Sequence, residues 1–261
     1  MALKTLGLKV ADYMNPKPIT VKDNYGFADS VQIMAEKGIG NLVVVKNRHP
    51  VGILTERQIL EHISIFGKIK NVKLSDIKIS QFHAIDVGTR VIDAARLMIK
   101  KKTRLLVFDE KHLVGIITAT DMVRAFRRTS ANPDLGKVAS KKVYAVNYSD
   151  TVLKAAKLMH KKRIGSIIVI KNNLPYGIFT ERDLLVNVLA NDVGIENHVG
   201  GYCSFPLVTS SASIRAGDAS KIMSKNRIKR LVLTKNKKMY AMITARDIVD
   251  AFQSSFSSDD Y

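Results

Sequence analysis

Between residues 143 and 190 the spacing of apolar positions switches repeatedly between two periods. Val143 to Val146 reads as a short strand. Ser149 and Asp150 then supply capping residues for a helix whose apolar positions Val152, Ala155, Ala156 and Met159 follow the i, i+3, i+4, i+7 rule. Ser166 to Ile170 is almost wholly apolar, which predicts a strand buried on both faces. After the turn Lys171-Asn172-Asn173 the chain returns as a strand over Tyr176 to Phe179, and Thr180 opens a second helix through Leu184, Leu185 and Leu189. The predicted unit is β-α-β-β-α.

The same pattern is written four times. Its last strand ends in Gly52-Ile53-Leu54-Thr55, Gly115-Ile116-Ile117-Thr118, Gly177-Ile178-Phe179-Thr180 and Ala241-Met242-Ile243-Thr244, with the threonines 63, 62 and 64 residues apart. Met34, Met98, Met159 and Met223 precede those threonines by 21, 20, 21 and 21 residues, so two landmarks share one register. A unit of about 55 residues has a marginal core on its own, so units are expected to pair. The predicted units are 1–68, 69–130, 131–195 and 196–261, paired into modules 1–130 and 131–261. Arg127 to Gly136, polar and loop-prone, is the expected linker between modules; connectors near Gly67-Lys68 and Gly200-Gly201 join partners within them. The tail Ser254 to Tyr261 is expected to fray.

Composition narrows the class. The 261 residues are 46% hydrophobic, enough for a sizeable core, and the single cysteine, Cys203, has no disulfide partner, which points to a reducing, cytoplasmic compartment. No window approaches the roughly 20 apolar residues that span a bilayer, and Met1 to Gly7 lacks the apolar run of a signal peptide. A soluble chain with no membrane partner is expected. The six histidines, His49, His62, His83, His112, His160 and His198, are scattered, so neither a metal site nor a catalytic constellation is read, and the chain is not expected to be an enzyme.

Charge changes this picture. Lysine and arginine number 42 against 23 acids, a net +19. It is shared evenly: residues 1–130 carry +10 and residues 131–261 carry +9. Ion-pair networks need matching acids, and these are too few, so the excess asks for an anionic partner. RNA leads, gripped through its backbone and shape by two basic halves, and the ribosome is the most abundant such surface. The densest cations lie where a helix runs into the middle strand: Lys100, Lys101 and Lys102; Lys161, Lys162 and Arg163; Lys225 and Arg227. One lysine per helix end is explained by the helix dipole, but runs are not. No zinc-finger spacing or base-reading aromatic motif accompanies them.

The opening phrase Val10-Ala11-Asp12-Tyr13-Met14-Asn15-Pro16-Lys17-Pro18-Ile19-Thr20-Val21 and the Gly-x-x-Thr-x-x-Asp endings resemble CBS domains, in a tandem of four forming two Bateman modules. The resemblance covers nearly the whole chain and leaves no stretch for a separate catalytic domain. It implies an α/β (α+β) fold and adenine nucleotide, AMP, ADP or ATP, as a regulatory ligand held in clefts, with no cofactor required. It also implies that modules pair, with each other inside one chain or across a homodimer.

On this reading each threonine places its hydroxyl and nearby backbone N–H groups at a helix's positive end, where phosphate is favoured, and the acid three residues on accepts hydrogen bonds from ribose hydroxyls. The pairs are Thr118/Asp121, Thr180/Asp183 and Thr244/Asp247, with Arg182 and Arg246 beside them. Ile19 and its counterparts would line the adenine pocket, and Arg104, Lys229 and Arg230 would reach phosphates. The first unit has Gln58 at the ribose position, which predicts a weaker site. Thr-x-x-Asp is equally the signature of a capping box that needs no ligand. Three functions therefore stand: a nucleotide sensor that binds RNA or the ribosome, a nucleotide-sensing subunit of a separate enzyme or transporter, and a scaffold with empty clefts.

Overall fold

The computed structural model describes residues 7–236 and 238–256, so the tip of the expected tail lies outside the described residues. Four copies of one motif follow each other. The first has β2 (Thr20–Lys22), α1 (Phe27–Glu36), β3 (Asn41–Lys46), β4 (His49–Thr55) and α2 (Glu56–Phe66), preceded by a short β1 (Asn15–Pro16). The second has β5 (His83–Asp86), α3 (Val91–Lys101), β6 (Leu105–Asp109), β7 (His112–Ile117) and α4 (Ala119–Phe126). The third has β8 (Ala145–Asn147), α5 (Val152–Lys162), β9 (Ser166–Lys171), β10 (Leu174–Thr180) and α6 (Glu181–Asp183). There α6 continues as a π-helical Leu184–Val188 and a 3-10 turn, Leu189–Asn191. The fourth has β11 (Thr209–Ser211), α7 (Ala216–Lys225), β12 (Arg230–Lys235), β13 (Lys238–Thr244) and α8 (Ala245–Ser255).

In every repeat the middle strand is parallel to the first and antiparallel to the last. Its side chains are buried on both faces, as the apolar run Ile167, Ile168 and Val169 predicts. The cap of α5 differs from expectation by one position: Thr151 rather than Ser149-Asp150 accepts the Lys154 N–H, at 3.1 Å, while Asp150 closes the preceding turn onto the Asn147 N–H.

Packing groups the chain into two compact units. Among the described residues, one compact unit contains 7–18, 82–143, 208–236 and 238–256; the other contains 19–81 and 144–207. The second repeat is thus packed with the fourth, and the first with the third. Segments just ahead of or behind a repeat close the exposed edge of another repeat's sheet, where backbone groups need partners. Asn15 and Pro16, ahead of the first repeat, pair with Ile116 and Gly115 of the second. Ser140 bridges Met242 in the fourth repeat, while Ser80 and Ser204 fold back on Ile53 and Ile178.

These crossings explain the glycine of the repeated phrase. A Cβ at Gly52 would meet the Ser80 carbonyl at 3.0 Å, at Gly115 the Met14 Sδ at 2.3 Å, and at Gly177 the Ser204 carbonyl at 2.6 Å. The expected linker 127–136 is likewise tied down in its second half. Leu135 is fully buried, Asn132 accepts the Arg215 guanidinium at 2.8 Å and caps Gly217 N–H at 2.8 Å.

In the unit of the first and third repeats, Leu60 and Ile63 of α2 enter the third repeat's core, and Leu185 enters the first repeat's. Helix starts are cross-linked as well: Arg57 Nε lies 2.8 Å from Glu181 Oε1, and Arg182 Nη1 lies 3.7 Å from Glu56 Oε1. In the other unit one continuous core joins both repeats, and Phe126 stacks on Phe252 with ring centroids 4.9 Å apart.

Candidate functional site

Each last strand delivers its terminal threonine to the start of a helix with extended backbone, so the threonine caps that helix. In the second, third and fourth repeats the threonine N–H and hydroxyl both donate to Oδ2 of the acid three residues on. The hydroxyl distances are 2.7 Å for Thr118–Asp121, 2.6 Å for Thr180–Asp183 and 2.8 Å for Thr244–Asp247. In the first repeat Thr55 makes the equivalent contacts with the Gln58 Oε1 amide oxygen. The capping box is therefore present in all four copies, and it occupies only one oxygen of each carboxylate.

The second oxygen distinguishes the copies. Asp183 Oδ1 accepts from Ser204 Oγ at 2.8 Å and from Asn187 Nδ2 at 3.2 Å. The π-helical turn carries Asn187, which also donates to the Tyr202 carbonyl at 3.0 Å. Gln58 donates to Ser80 Oγ at 2.6 Å in the same manner. Asp121 Oδ1 meets the Arg124 guanidinium at 3.3 Å. Among the described residues no hydrogen bond is made by Asp247 Oδ1, and burial raises that carboxyl's pKa, opposed by the bonds from Thr244.

The expected phosphate cations fall on one unit. Arg230 opens β12 directly across from Thr244. Lys229 is exposed, and its carbonyl accepts the Ala245 N–H at 3.0 Å. Arg104 immediately precedes β6, one residue before the Leu105–Ile117 pair and hence beside Thr118. In the first and third repeats the position opposite the threonine is Asn41 or Ser166, which carry no charge. Threonine, acid and cation are brought together in the second and fourth repeats only. Arg182 is held by Glu56 and by the Gly38 carbonyl at 2.9 Å, so its guanidinium faces a neighbouring repeat. Arg246 sits half-buried beside Asp247, and Ile19, 37% exposed, lends its carbonyl to Val43 N–H.

All eight expected RNA-binding cations, Lys100, Lys101, Lys102, Lys161, Lys162, Arg163, Lys225 and Arg227, are solvent-exposed. Three have left-handed backbone: Lys102, Arg163 and Arg227, with φ of 52°, 54° and 54°. Each stands four residues after its repeat's methionine, where the first repeat has Gly38 at φ 61°. Left-handed helix ends favour glycine, so a long cation there is held against a local preference of about 1 kcal/mol. The equivalent of the basic run in the first repeat is only Lys37.

Aromatic placement is what the sequence reading missed. Tyr176 and Tyr240 occupy the same position of the last strand, one residue before Gly177 and Ala241, and Lys171 and Lys235 approach them to 5.2 and 5.8 Å. The recurrence of Tyr at that position in two copies was the available signal. Among the described residues no cluster of His, Cys, Asp and Glu could hold a metal ion, and no helix is long and apolar enough to cross a membrane.

A family model for the CBS domain matches residues 10–65, 74–128, 135–190 and 199–254. The chain therefore belongs to the CBS-domain family and carries four CBS domains. Protein MJ1225 of Methanocaldococcus jannaschii, described as uncharacterized, is 28% identical over 200 residues, covering 70% of this chain and 71% of that one. An uncharacterized 33.4 kDa protein in a ribosomal RNA operon of Thermofilum pendens is 29% identical over 205 residues, covering 72% and 66%. A third relative, uncharacterized protein MJ1404 of M. jannaschii, is 24% identical and matched over 61% of its length.

Among solved structures, MJ1225, described as a candidate archaeal homologue of γ-AMPK, superposes with a TM-score of 0.79 at 18% identity. It covers 94% of this chain and 100% of that one. An uncharacterized conserved protein of Pyrococcus horikoshii superposes with a TM-score of 0.64, also at 18% identity, covering 93% and 99%. At these identities the likeness establishes the fold.

Proposed function

We propose that this chain is a regulatory protein that senses an adenine nucleotide, AMP, ADP or ATP, and binds RNA, with the ribosome as its RNA partner. The observation that carries the nucleotide half is the shared start of the helices after β7 and β13. There a threonine, an acid with one oxygen left outside the cap, and a cation beside the strand end converge in one unit. Thr118 with Asp121 and Thr244 with Asp247 serve ribose and phosphate, and Arg104, Lys229 and Arg230 neutralise phosphate. Thr180 with Asp183 form a weaker site, because Ser204 and Asn187 compete for the acid. Gln58 leaves the first site weakest.

The RNA half rests on the net +19 and on the exposed cation runs. The relative in a ribosomal RNA operon is consistent with it. Regulation follows from linkage: a nucleotide that binds one arrangement of the repeats better shifts the population toward it, and partner affinity changes reciprocally. No catalytic step is assigned and no cofactor is required.

The test is thermal stabilisation by AMP, ADP and ATP, which at about 100 times Kd amounts to about 2.7 kcal/mol. Asp247→Ala and Asp121→Ala each reduce that response, and the double substitution leaves only the smaller contribution of the Asp183 site. An unchanged response places the ligand elsewhere, and no response in the wild type leaves a scaffold with empty clefts. The description of MJ1225 as a candidate homologue of γ-AMPK favours a second reading, a regulatory subunit of a separate enzyme or transporter. A low-salt pull-down with and without nucleotide, analysed for RNA and protein, decides between them; a captured enzyme without RNA selects the second.

A further inference from the structure

The third repeat carries a pile of three aromatic rings that ends in the open. It starts at Gly200, whose bare Cα lets the Tyr148 ring lie against the backbone; a Cβ there would come within 2.1 Å of the ring. Tyr176, on β10, meets Tyr148 edge-on at 5.3 Å and 79°. Phe205 then stacks on Tyr176, with centroids 4.2 Å apart and planes 13° from parallel. Phe205 is nonetheless 60% exposed, so much of the residue stays open to solvent. The ammonium of Lys171 lies 4.5 Å from the Tyr148 centroid and 5.2 Å from that of Tyr176.

A phenylalanine ring left largely in water forgoes part of the stabilisation that burial gives. Here the ring is pre-oriented by the two tyrosines beneath it, so a partner stacking on it meets little ordering cost. A flat apolar face backed by aromatic rings, with a cation one ring-width away, matches a nucleobase joined to a phosphate. An acidic protein segment would satisfy Lys171 but gains nothing specific from a parallel ring stack, and the chain's +19 favours the polyanion.

We infer that Phe205, supported by Tyr176 and Tyr148, is a stacking platform for an unpaired base of single-stranded RNA, with Lys171 on the adjoining phosphate. The inference rests on the RNA half of the proposed function and gives it a defined point of contact. It adds what cations alone do not, a preference for unpaired over duplex RNA.

Full-length protein is titrated with a fluorescein-labelled 12-nucleotide single-stranded RNA, with the same RNA as a duplex, and with AMP and ATP. The single strand binds more tightly than the duplex. Phe205→Ala and Phe205→Leu weaken single-strand binding about 5- to 150-fold, Phe205→Trp preserves it, and duplex binding is unchanged. Lys171→Ala weakens both RNAs and lowers the slope of log affinity against log salt by about 1. Because Phe205 is exposed, its variants keep the wild-type melting temperature, which is verified first.

Equal binding by wild type and Phe205→Leu overturns the platform while leaving the RNA reading intact. Loss of AMP or ATP affinity in Phe205→Ala, with RNA affinity unchanged, assigns the ring to a nucleotide cleft and overturns it too. A wild type that binds neither RNA ends both this inference and the RNA half of the proposed function.

Discussion

His62 is a side chain through which pH acts on the unit of the first and third repeats. It lies between Phe27 and Phe66, with ring centroids 4.7 Å from each, and its Nε2 accepts the Lys70 N–H at 3.2 Å, which only a neutral imidazole does. Burial, and then the charge of Lys70, lowers its pKa below the ordinary 6.5. The unfolded chain therefore binds a proton that the folded chain refuses, and stability falls as pH drops below about 6.5. Thermal melts from pH 7.5 to 5.5 show this decline in the wild type and a flatter profile in His62→Gln. Nothing in the sequence around His62 marks it out, because its aromatic neighbours come partly from another element. Cys203 shows the converse: burial, and then the charge of Asp183, pushes its thiol up to about 11, so it stays unreactive at neutral pH. It packs closely against Gly177, where a Cβ would meet its Sγ at 2.9 Å.

Elements were legible where a periodicity sets them. The all-apolar middle strands, the helices carrying Met34, Met98, Met159 and Met223, and the capping threonines all fall where pattern puts them. Helix ends were less so, because a cation in left-handed conformation violates the glycine rule that a reader applies. Arg163→Gly tests that strain directly. It removes a Cβ from a φ of 54° and raises stability by about 0.5–1 kcal/mol, measured by urea unfolding. The same variant binds RNA more weakly if the exposed cation contacts phosphate, so gained stability with lost binding separates a functional cation from an incidental one. The π-helical continuation of α6 also escaped the pattern: Leu184, Leu185 and Leu189 read as helix, but the widened turn carries Asn187, which bonds Asp183 one turn back and the Tyr202 carbonyl from outside the helix.

At the scale of the whole chain, each unit draws on segments far apart in sequence. Val10, at the start of the chain's first matched repeat, is fully buried in the core shared by the second and fourth repeats. Val10→Ala therefore costs about 1–3 kcal/mol, and hydrogen exchange shows protection lost in β7 and α4 of the second repeat, not in α1 and α2 of the first. The partner choice was written locally, in words that only the packed structure makes readable. Thr-Glu-Arg stands at 55–57 and 180–182, where Glu and Arg pair reciprocally between first and third repeats. The other two copies have Thr-Ala at 118–119 and 244–245, and Ala-Phe at 125–126 and 251–252, where the phenylalanines stack. The sequence by itself determined the repeat, its strands and helices and the four capped helix starts, because periodicity and capping are interactions within a few residues. Which repeats pair, what each acid's second oxygen meets, and where three aromatic rings line up were decided only by tertiary structure. Those depend on buried area and side-chain geometry between segments that chain order does not bring together.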